Sequence, residues 1–419
     1  MALVRARSTE EVAAVMRVCD AHRHPVVPQA GLTGLTGGAT PTDDCVVLSL
    51  ERMAAIEAID ADGATLTVQA GATLQAVQEA ADAAGFLFPL DIGARGTCRV
   101  GGNASTNAGG NRVLRFGMMR DLVLGLEAVL PDGTVVSAMN TMLKNNAGYD
   151  VKQLFLGSEG TLGVITRLVL RLFPKPRSVS TALVALPDYD AVLRLLRLAR
   201  ERLGPTLAAF EAMWPDFYAF ANAQLPAAPP LPQGGAIHVL VETMGTDPSR
   251  DDALFEDAIG AALEDGCASD AVVAHSESQR RAIWAIRDAS SELRRAFSPH
   301  VDYDVSLPIG RIGAFVPECS ARLRAAWPQV GIVHFGHVAD SNLHVSVQVR
   351  DGVFSKDDAD RILYGCVAEW RGSVSAEHGI GLLKKAYLGH SRNEAEIALM
   401  RRLKAAMDPN GILNPGKVL

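Results

Sequence analysis

The sequence predicts a two-domain α+β protein, and three observations carry that expectation. The chain has 419 residues, whereas a single hydrophobic core stops growing at about 250–300 residues. From the start to about Pro174, glycine is dense and short β-like runs alternate with turns. Beyond Pro174-Lys175-Pro176, helical spacing alternates with strands, which reads as helices on one face of a sheet. The proline pair therefore marks the boundary, with residues 1–174 as one domain and 175–419 as the other.

The first element is a helix, because Ser8-Thr9-Glu10-Glu11 is a capping signal ahead of Val12, Val15, Met16 and Cys19. Val46-Val47-Leu48, Ala64 to Ala70 and Leu122 to Leu130 read as strands. Leu162 to Phe173 is a longer apolar, β-branched run that the proline pair ends. In the second part, Tyr189 to Leu203 and Asp251 to Leu263 carry apolar residues at helical spacing. Pro226 to Gly235 is a surface loop, and Ile237 to Glu242 is a strand. The tail, Met407 to Lys417, is turn-rich.

Apolar residues are 48% and charged residues 21% of the chain, as in ordinary soluble globular proteins. A net charge of -7 argues against non-specific nucleic-acid binding, which wants a basic face. No membrane-length apolar run is present, and the N-terminus lacks a signal-peptide stretch. Six scattered cysteines without a CxxC pair predict reduced thiols and a cytoplasmic location.

Three small-residue stretches stand out. Pro28 to Gly38 follows Val26-Val27; its glycines allow close ligand approach, its successive N–H groups can form an anion nest, and Thr33 and Thr36 add hydroxyl donors. A diphosphate is the natural ligand. Pro89 to Gly110 holds six glycines, three small hydroxyl residues and two asparagines, too many for an ordinary turn. Gly157 to Thr166 is the third. The first stretch lacks the lysine of a phosphate-binding P-loop, and it is neither GxGxxG nor followed by an acid at a strand end.

In the second part, His337 and His344 flank Ala339-Asp340-Ser341-Asn342, turn material that can bring both imidazoles together. With Glu377 they make a two-His, one-Glu set that leaves an open coordination position. His334, His238 and His275 read as structural.

Together these strings resemble the flavin domain of the vanillyl-alcohol oxidase superfamily. The runs PLDIGARGTC, GGNASTNAGG, LGLEAVLPDGTV and GYDVKQLFLGSEGTLGVIT are most similar to its D-2-hydroxyglutarate, D-lactate and glycolate dehydrogenase branch, over nearly the whole chain. The resemblance implies an FAD-binding domain followed by an α+β cap domain for substrate and metal, with the last ~45 residues returning to the flavin. The FAD should be non-covalent, since the first loop has no counterpart of the family's covalent histidine or cysteine. Its cradle is expected at Pro28, Gln29, Ala30, Gly31, Leu32, Thr33, Gly34 and Leu35. The second stretch contributes Pro89, Leu90, Gly96, Gly101, Gly102, Asn103, Thr106, Asn107, Gly109 and Gly110. Glu159 is expected near the adenosine end, with Gly163 and Ile165 beside it, and Asn414 joins from the tail. Relatives in this branch usually carry further residues ahead of the position of Ala2.

The same resemblance makes His337, His344 and Glu377 ligands of a divalent metal, zinc first, with manganese, cobalt or iron as alternatives. It makes His378 the base that takes the substrate hydroxyl proton, a task that suits an imidazole with a reference pKa of about 6.5. Arg287 stands at the substrate-arginine position, and a guanidinium grips a carboxylate through two parallel hydrogen bonds. Ser291, one helical turn on, is expected on the same face, and Asn342, Ser346 and Asp302 in the pocket. Asp302 stands where the D-2-hydroxyglutarate enzymes typically carry lysine, and Ser346 where they often carry asparagine. An acid in place of a cation repels a second carboxylate, so a monocarboxylate such as D-lactate is the expected substrate. Electrons should pass to a flavoprotein carrier, a quinone or a cytochrome, and a homodimer is expected from relatives. The competing readings are D-2-hydroxyglutarate dehydrogenase proper, a non-catalytic flavin subunit of a glycolate-oxidase-like complex, and a flavoenzyme acting on a phenol or an alkyl-glycerone phosphate.

Overall fold

The computed structural model describes residues 1–419 and divides into two compact units. One unit comprises Met1–Arg112, Phe116–Lys175 and Glu377–Leu419; the other comprises Val113–Arg115 and Pro176–Ala376.

The first unit holds three sheets. β1 (Ala2–Arg5), β2 (Val26–Gln29) and β3 (Val46–Ser49) form a parallel sheet in the order β1-β3-β2. The helix Thr9–Ala21 connects β1 to β2. The hydroxyl of Ser8 caps it by accepting the Glu11 N–H, and Val12, Met16 and Cys19 turn inward. β4 (Ile56–Asp60), β5 (Thr65–Gln69), β7 (Val123–Val129), β8 (Val135–Ala138) and β9 (Val164–Arg171) form an antiparallel sheet ordered β4-β5-β9-β7-β8. β9 lies at its centre with both faces covered, which explains a continuous apolar run without alternation. β6 (Phe86–Leu87) and β10 (Phe173–Pro174) pair separately.

The end of the chain is stitched onto the first glycine loop. After the helix Glu394–Met407, the buried Asp408 carboxylate accepts the N–H groups of Ile412 and Leu413 at 3.0 and 2.9 Å. Leu413 then bridges in parallel to Val26, and the Asn414 N–H donates to the Val26 carbonyl at 2.7 Å. Lys404 donates to the carbonyls of Thr161 and Leu413, and burial holds its ammonium below the usual lysine range.

The second unit is built on one antiparallel sheet of seven strands. They are β11 (Ser178–Leu186), β12 (Leu207–Met213), β13 (Ile237–Gly245), β14 (Asp270–Val273), β15 (His300–Ser306), β16 (Ile332–Gly336) and β17 (Asn342–Gln348). The order is β14-β11-β13-β12-β16-β17-β15.

Helices cover both faces of this sheet, which corrects the one-face expectation. Leu183, Met213 and Leu240 pack with Phe217 and Tyr218 of the helix Pro215–Gln224 and with Ile283 and Ile286 of the helix Glu277–Asp288. The alternate residues Ala182, Val184, Val239 and Val241 are equally buried, and the helices Tyr189–Leu203 and Pro248–Glu264 pack on those strands. Central strands without a solvent face lose the polar alternation that would have revealed two-sided burial.

All six cysteines are free and buried. No helix is long and apolar enough to cross a membrane.

Candidate functional site

In the first unit, the glycine stretches converge on a cleft that opens to solvent. Pro28, Gln29, Ala30, Gly31, Leu32, Thr33 and Gly34 line one wall; Gly101, Gly102, Asn103 and Thr106 line another; Glu159, Gly163, Ile165 and His378 complete it. Gly31 and Gly101 permit close packing behind the cleft, since a Cβ would come within 2.6 Å of Thr97 O and of Ala70 Cβ respectively. Gly34 and Gly102 serve the opposite purpose: a Cβ there would meet nothing within 4 Å, so each leaves room for a ligand to approach the backbone.

Polar groups at the same place fit an anionic ligand. The helix Val100–Thr106 starts at the cleft without a side-chain cap; its Val100 and Gly101 N–H groups donate to the carbonyls of Ala72 and Ala70 at 3.0 and 2.8 Å, which leaves the Gly102 N–H at its positive end. Arg99 gives Nη1 to the Gly71 carbonyl at 3.0 Å, while its Nε and the Asn103 Oδ1 are buried without hydrogen-bond partners. The Arg99 guanidinium and the small residues of the lining fit the diphosphate of FAD, while Asn103 Oδ1, an acceptor, suits a hydroxyl or N–H group of the ligand.

Several residues expected at the cofactor lie behind the cleft. Asn414 donates Nδ2 to the carbonyls of Gly38 and Glu159 at 3.0 and 2.8 Å, so it ties two ligand loops together from the rear. Asn107 ends the short helix in the left-handed region, and its Oδ1 accepts the Arg120 N–H. Gly110 packs on the Asp91 backbone, where a Cβ would lie 2.3 Å from the carbonyl oxygen, and Gly96 packs near Gln75. Leu35 is exposed, while Leu90 is buried and its carbonyl accepts from Gln78. Pro89 and Gly109 are likewise buried away from the lining. Ala39, Cys98, Arg99, Ser105 and Val164 also line the cleft, although the sequence did not single them out. Arg99 was detectable as the cation preceding a glycine pair at a helix start.

His378 is held over this cleft by its backbone. Thr36, expected to offer its hydroxyl to a diphosphate, instead donates to the His378 carbonyl at 3.2 Å. The Thr36 carbonyl accepts the N–H groups of Leu382 and Leu383. Glu159 takes the N–H groups of Ile380 and Gly381 on its two oxygens, at 2.7 and 2.8 Å. Burial pushes the Glu159 carboxyl up, against the downward pull of those two donors. Gly381 has φ +51°, and a Cβ there would sit 2.3 Å from the Thr36 carbonyl, so only glycine closes this loop. Glu159 and Thr36 thus position the backbone that carries His378.

The second unit supplies a polar face. Along β17, Asn342, His344 and Ser346 point to one side of the sheet. Register places Asp304 and Phe335 opposite His344, and Asp302 opposite Ser346. Met213 pairs with Phe335, which puts Glu211, two residues back on β12, on the same face. Between β16 and β17 the chain makes a 3₁₀ turn, Val338–Asp340, and Ser341 turns it back at φ +79°. This brings the rings of His337 and His344 to 5.5 Å between centroids.

Arg287 reaches this face from the helix Glu277–Asp288. Its Nε donates to Glu211 Oε2 at 3.0 Å, its Nη2 to His337 Nε2 at 2.8 Å and its Nη1 to Ser290 Oγ at 3.4 Å. Its guanidinium carbon lies 5.4 Å from the Phe335 ring centroid. A guanidinium only donates, so His337 Nε2 is the accepting nitrogen and the ring proton sits on Nδ1, where Asp340 Oδ2 is 3.8 Å away. Imidazole is a ligand type that suits a divalent ion, but with Nε2 accepting from Arg287 and the proton on Nδ1, His337 could ligate one only after Arg287 releases Nε2 or Nδ1 gives up its proton. The unit ends at Ala376, whose N–H donates to Asp304 Oδ2 at 3.2 Å; Glu377 and His378 follow in the chain.

Three expectations about this face are modified. The helix of Arg287 ends at Asp288 and tightens into a 3₁₀ turn, Ala289–Glu292, so the third residue on, Ser290, meets the guanidinium. Ser291 turns outward, is exposed and donates to the Asp288 carbonyl. Asp302, expected in the pocket, is exposed, and it is not alone: its carboxylate accepts from the Ser346 hydroxyl and lies 3.2 Å from His300 Nε2. Asn342 is buried, with Nδ2 at 3.3 Å from Asp304 Oδ1. Glu211 was missed altogether, because a lone acid in the apolar run Leu207–Met213 carries no motif.

The histidines set aside as structural have structural partners or positions. His334 Nδ1 lies 2.7 Å from Asp216 Oδ2. His238 is buried and stacks on Tyr218 at 3.5 Å, and burial lowers its pKa to about 4, so it is neutral at physiological pH. His275 is exposed near Glu256.

Two family models match the chain. Residues 1–138 match the FAD binding domain family, and residues 175–418 match the family of FAD linked oxidases, C-terminal domain. The chain is 41% identical over 418 residues to the mitochondrial D-2-hydroxyglutarate dehydrogenase of Bos taurus, covering 100% of this chain and 76% of that protein. It is 39% identical over 427 residues to the D-2-hydroxyglutarate dehydrogenase of Xanthomonas citri, covering 89% of that protein. A mitochondrial Schizosaccharomyces pombe protein that carries the name of a D-lactate dehydrogenase is also 39% identical, with 99% of this chain and 81% of that one aligned. Among solved structures, p-cresol methylhydroxylase with substrate bound aligns with a TM-score of 0.77 at 17% identity, covering 99% of this chain and 88% of that one. Alkyldihydroxyacetonephosphate synthase aligns with a TM-score of 0.76 at 16% identity, covering 99% and 75%. The fold is thus the two-domain flavoprotein fold of the vanillyl-alcohol oxidase type, and the chain belongs to the FAD linked oxidases.

Proposed function

We propose that this protein is an FAD-dependent, metal-assisted dehydrogenase that oxidises a D-2-hydroxy acid to the 2-oxo acid and favours D-lactate or another monocarboxylate. The observation that carries this reading is Arg287, a buried guanidinium on the sheet face that also bears His337 and His344. A fixed cation beside two imidazoles suits a small acid whose carboxylate and neighbouring hydroxyl must both be held.

Each residue has a task in this reading. Arg287 grips the C1 carboxylate and fixes the acid's orientation. His337, His344 and Glu377 hold the divalent ion, and His378 takes the hydroxyl proton on a ring nitrogen. The cleft of Pro28–Gly34, Arg99 and Gly101–Asn103 holds the FAD. When bound, FAD supplies the two-electron acceptor for the C2 hydride, and the ion supplies polarisation of the C2 hydroxyl. Asn342 and Ser346 line the same face. A carrier flavoprotein, a quinone or a cytochrome takes the electrons onward, the six free cysteines suit a reducing compartment such as the cytoplasm, and a homodimer is proposed for the assembly.

Selectivity rests on Asp302. A strand advances about 3.4 Å per residue, so a substrate held at His344 meets the Ser346–Asp302 pair some 7 Å along the strand. A carboxylate there repels a distal carboxylate and tolerates an alkyl end. The second reading, D-2-hydroxyglutarate dehydrogenase proper, is favoured by the 41% identity to the Bos taurus enzyme of that name. Steady-state kcat/KM for D-lactate and D-2-hydroxyglutarate separates the two. We expect D-lactate to be preferred by about tenfold or more, roughly the effect of one unfavourable charge contact. A preference for the dicarboxylate selects the second reading.

A further inference from the structure

We infer that Glu211 is the positioning residue of the substrate arginine, a role that rests on the assignment of Arg287 to the substrate carboxylate. Glu211 lies on β12, only 1% exposed, with no solvent to stabilise its charge. Its Oε2 accepts the Arg287 Nε–H at 3.0 Å and lies 3.5 Å from His337 Nε2, while its Oε1 is buried without a hydrogen-bond partner. Such a carboxylate is costly to bury unless a fixed cation answers it.

The geometry shows what that cost secures. A guanidinium presents two edges to partners, one formed by Nε and Nη2, the other by Nη1 and Nη2. Glu211 and His337 together fill the first edge. On the second edge the closest partner is the Ser290 hydroxyl, at a long 3.4 Å from Nη1. A substrate carboxylate needs two parallel donors in one plane, and the Nη1/Nη2 edge provides them. Anchoring Nε sets both the plane of the guanidinium and the direction of that edge. A long arginine side chain without the anchor would sample several rotamers and present the edge only part of the time.

The test is a double-mutant cycle on the FAD- and metal-loaded enzyme, using E211Q, R287K and E211Q/R287K with D-lactate as substrate. Glutamine keeps the shape of Glu211 and removes the charge; lysine keeps the charge of Arg287 and removes the planar fork. E211Q should raise KM about tenfold or more, the loss of one charge-assisted anchor, with kcat within about threefold. R287K should raise KM at least as much. Adding E211Q to R287K should change KM by less than about twofold, because no fork remains to aim. Melting temperature and FAD content are measured on each variant. A lower melting temperature for E211Q with an unchanged KM makes Glu211 purely structural and overturns the inference. Independent, additive effects of E211Q and R287K on KM also overturn it. If R287K leaves KM unchanged, the carboxylate assignment of Arg287 itself fails, whatever E211Q does.

Discussion

Replacing His378 with alanine is expected to slow anaerobic flavin reduction by D-lactate by about 10²- to 10⁴-fold, the usual contribution of a positioned base, without releasing FAD. The structure separates the two effects. Backbone bonds anchor the His378 segment: Thr36 donates to the His378 carbonyl, and Glu159 accepts the N–H groups of Ile380 and Gly381. Alanine keeps each of these bonds. The flavin absorbance per protein and the melting temperature should match the wild type. Stopped-flow absorbance measures the reduction rate directly. A wild-type rate in H378A would assign the proton to another group.

Removing divalent ions with a chelator is expected to lower the reduction rate by about 10²-fold or more, since polarising a hydroxyl at an ion contributes several kcal/mol. Added zinc, manganese or cobalt should restore it. The flavin content should not change, because none of the proposed ligands His337, His344 and Glu377 lines the cleft proposed for FAD. H337A should lose activity in the same way but resist restoration by metal. Full activity in protein freed of metal, verified by elemental analysis, would remove the ion from the account.

What the sequence showed and what it hid follow from local and distant interactions respectively. The helix after Ser8, the helix Tyr189–Leu203 and the bend between His337 and His344 were legible, because caps, periodicity and turn residues act over a few positions. The two-sided burial of β11 to β13 was not, since an apolar run reads alike whether one or two layers of helices cover it. The glycine stretches pointed to the cleft, but not to which members face it. Gly34 faces open space, whereas Gly110 is needed against Asp91, and only packing tells them apart. Ser291 was placed by an ideal helical repeat, and a change to a 3₁₀ turn after Asp288 brought Ser290 forward instead. Glu211 was invisible because its meaning comes from Arg287, 76 residues away in the chain.

The central claim is that a flavin in the glycine cleft is reduced by a 2-hydroxy acid of one hand. Anaerobic bleaching of the bound flavin by matched D and L acids tests it most directly. Bleaching by D-lactate but not by L-lactate, with one equivalent of pyruvate formed per flavin, is the result this account predicts. Equal bleaching by both enantiomers, or an oxidised flavin after exposure to every D-2-hydroxy acid offered, would contradict it.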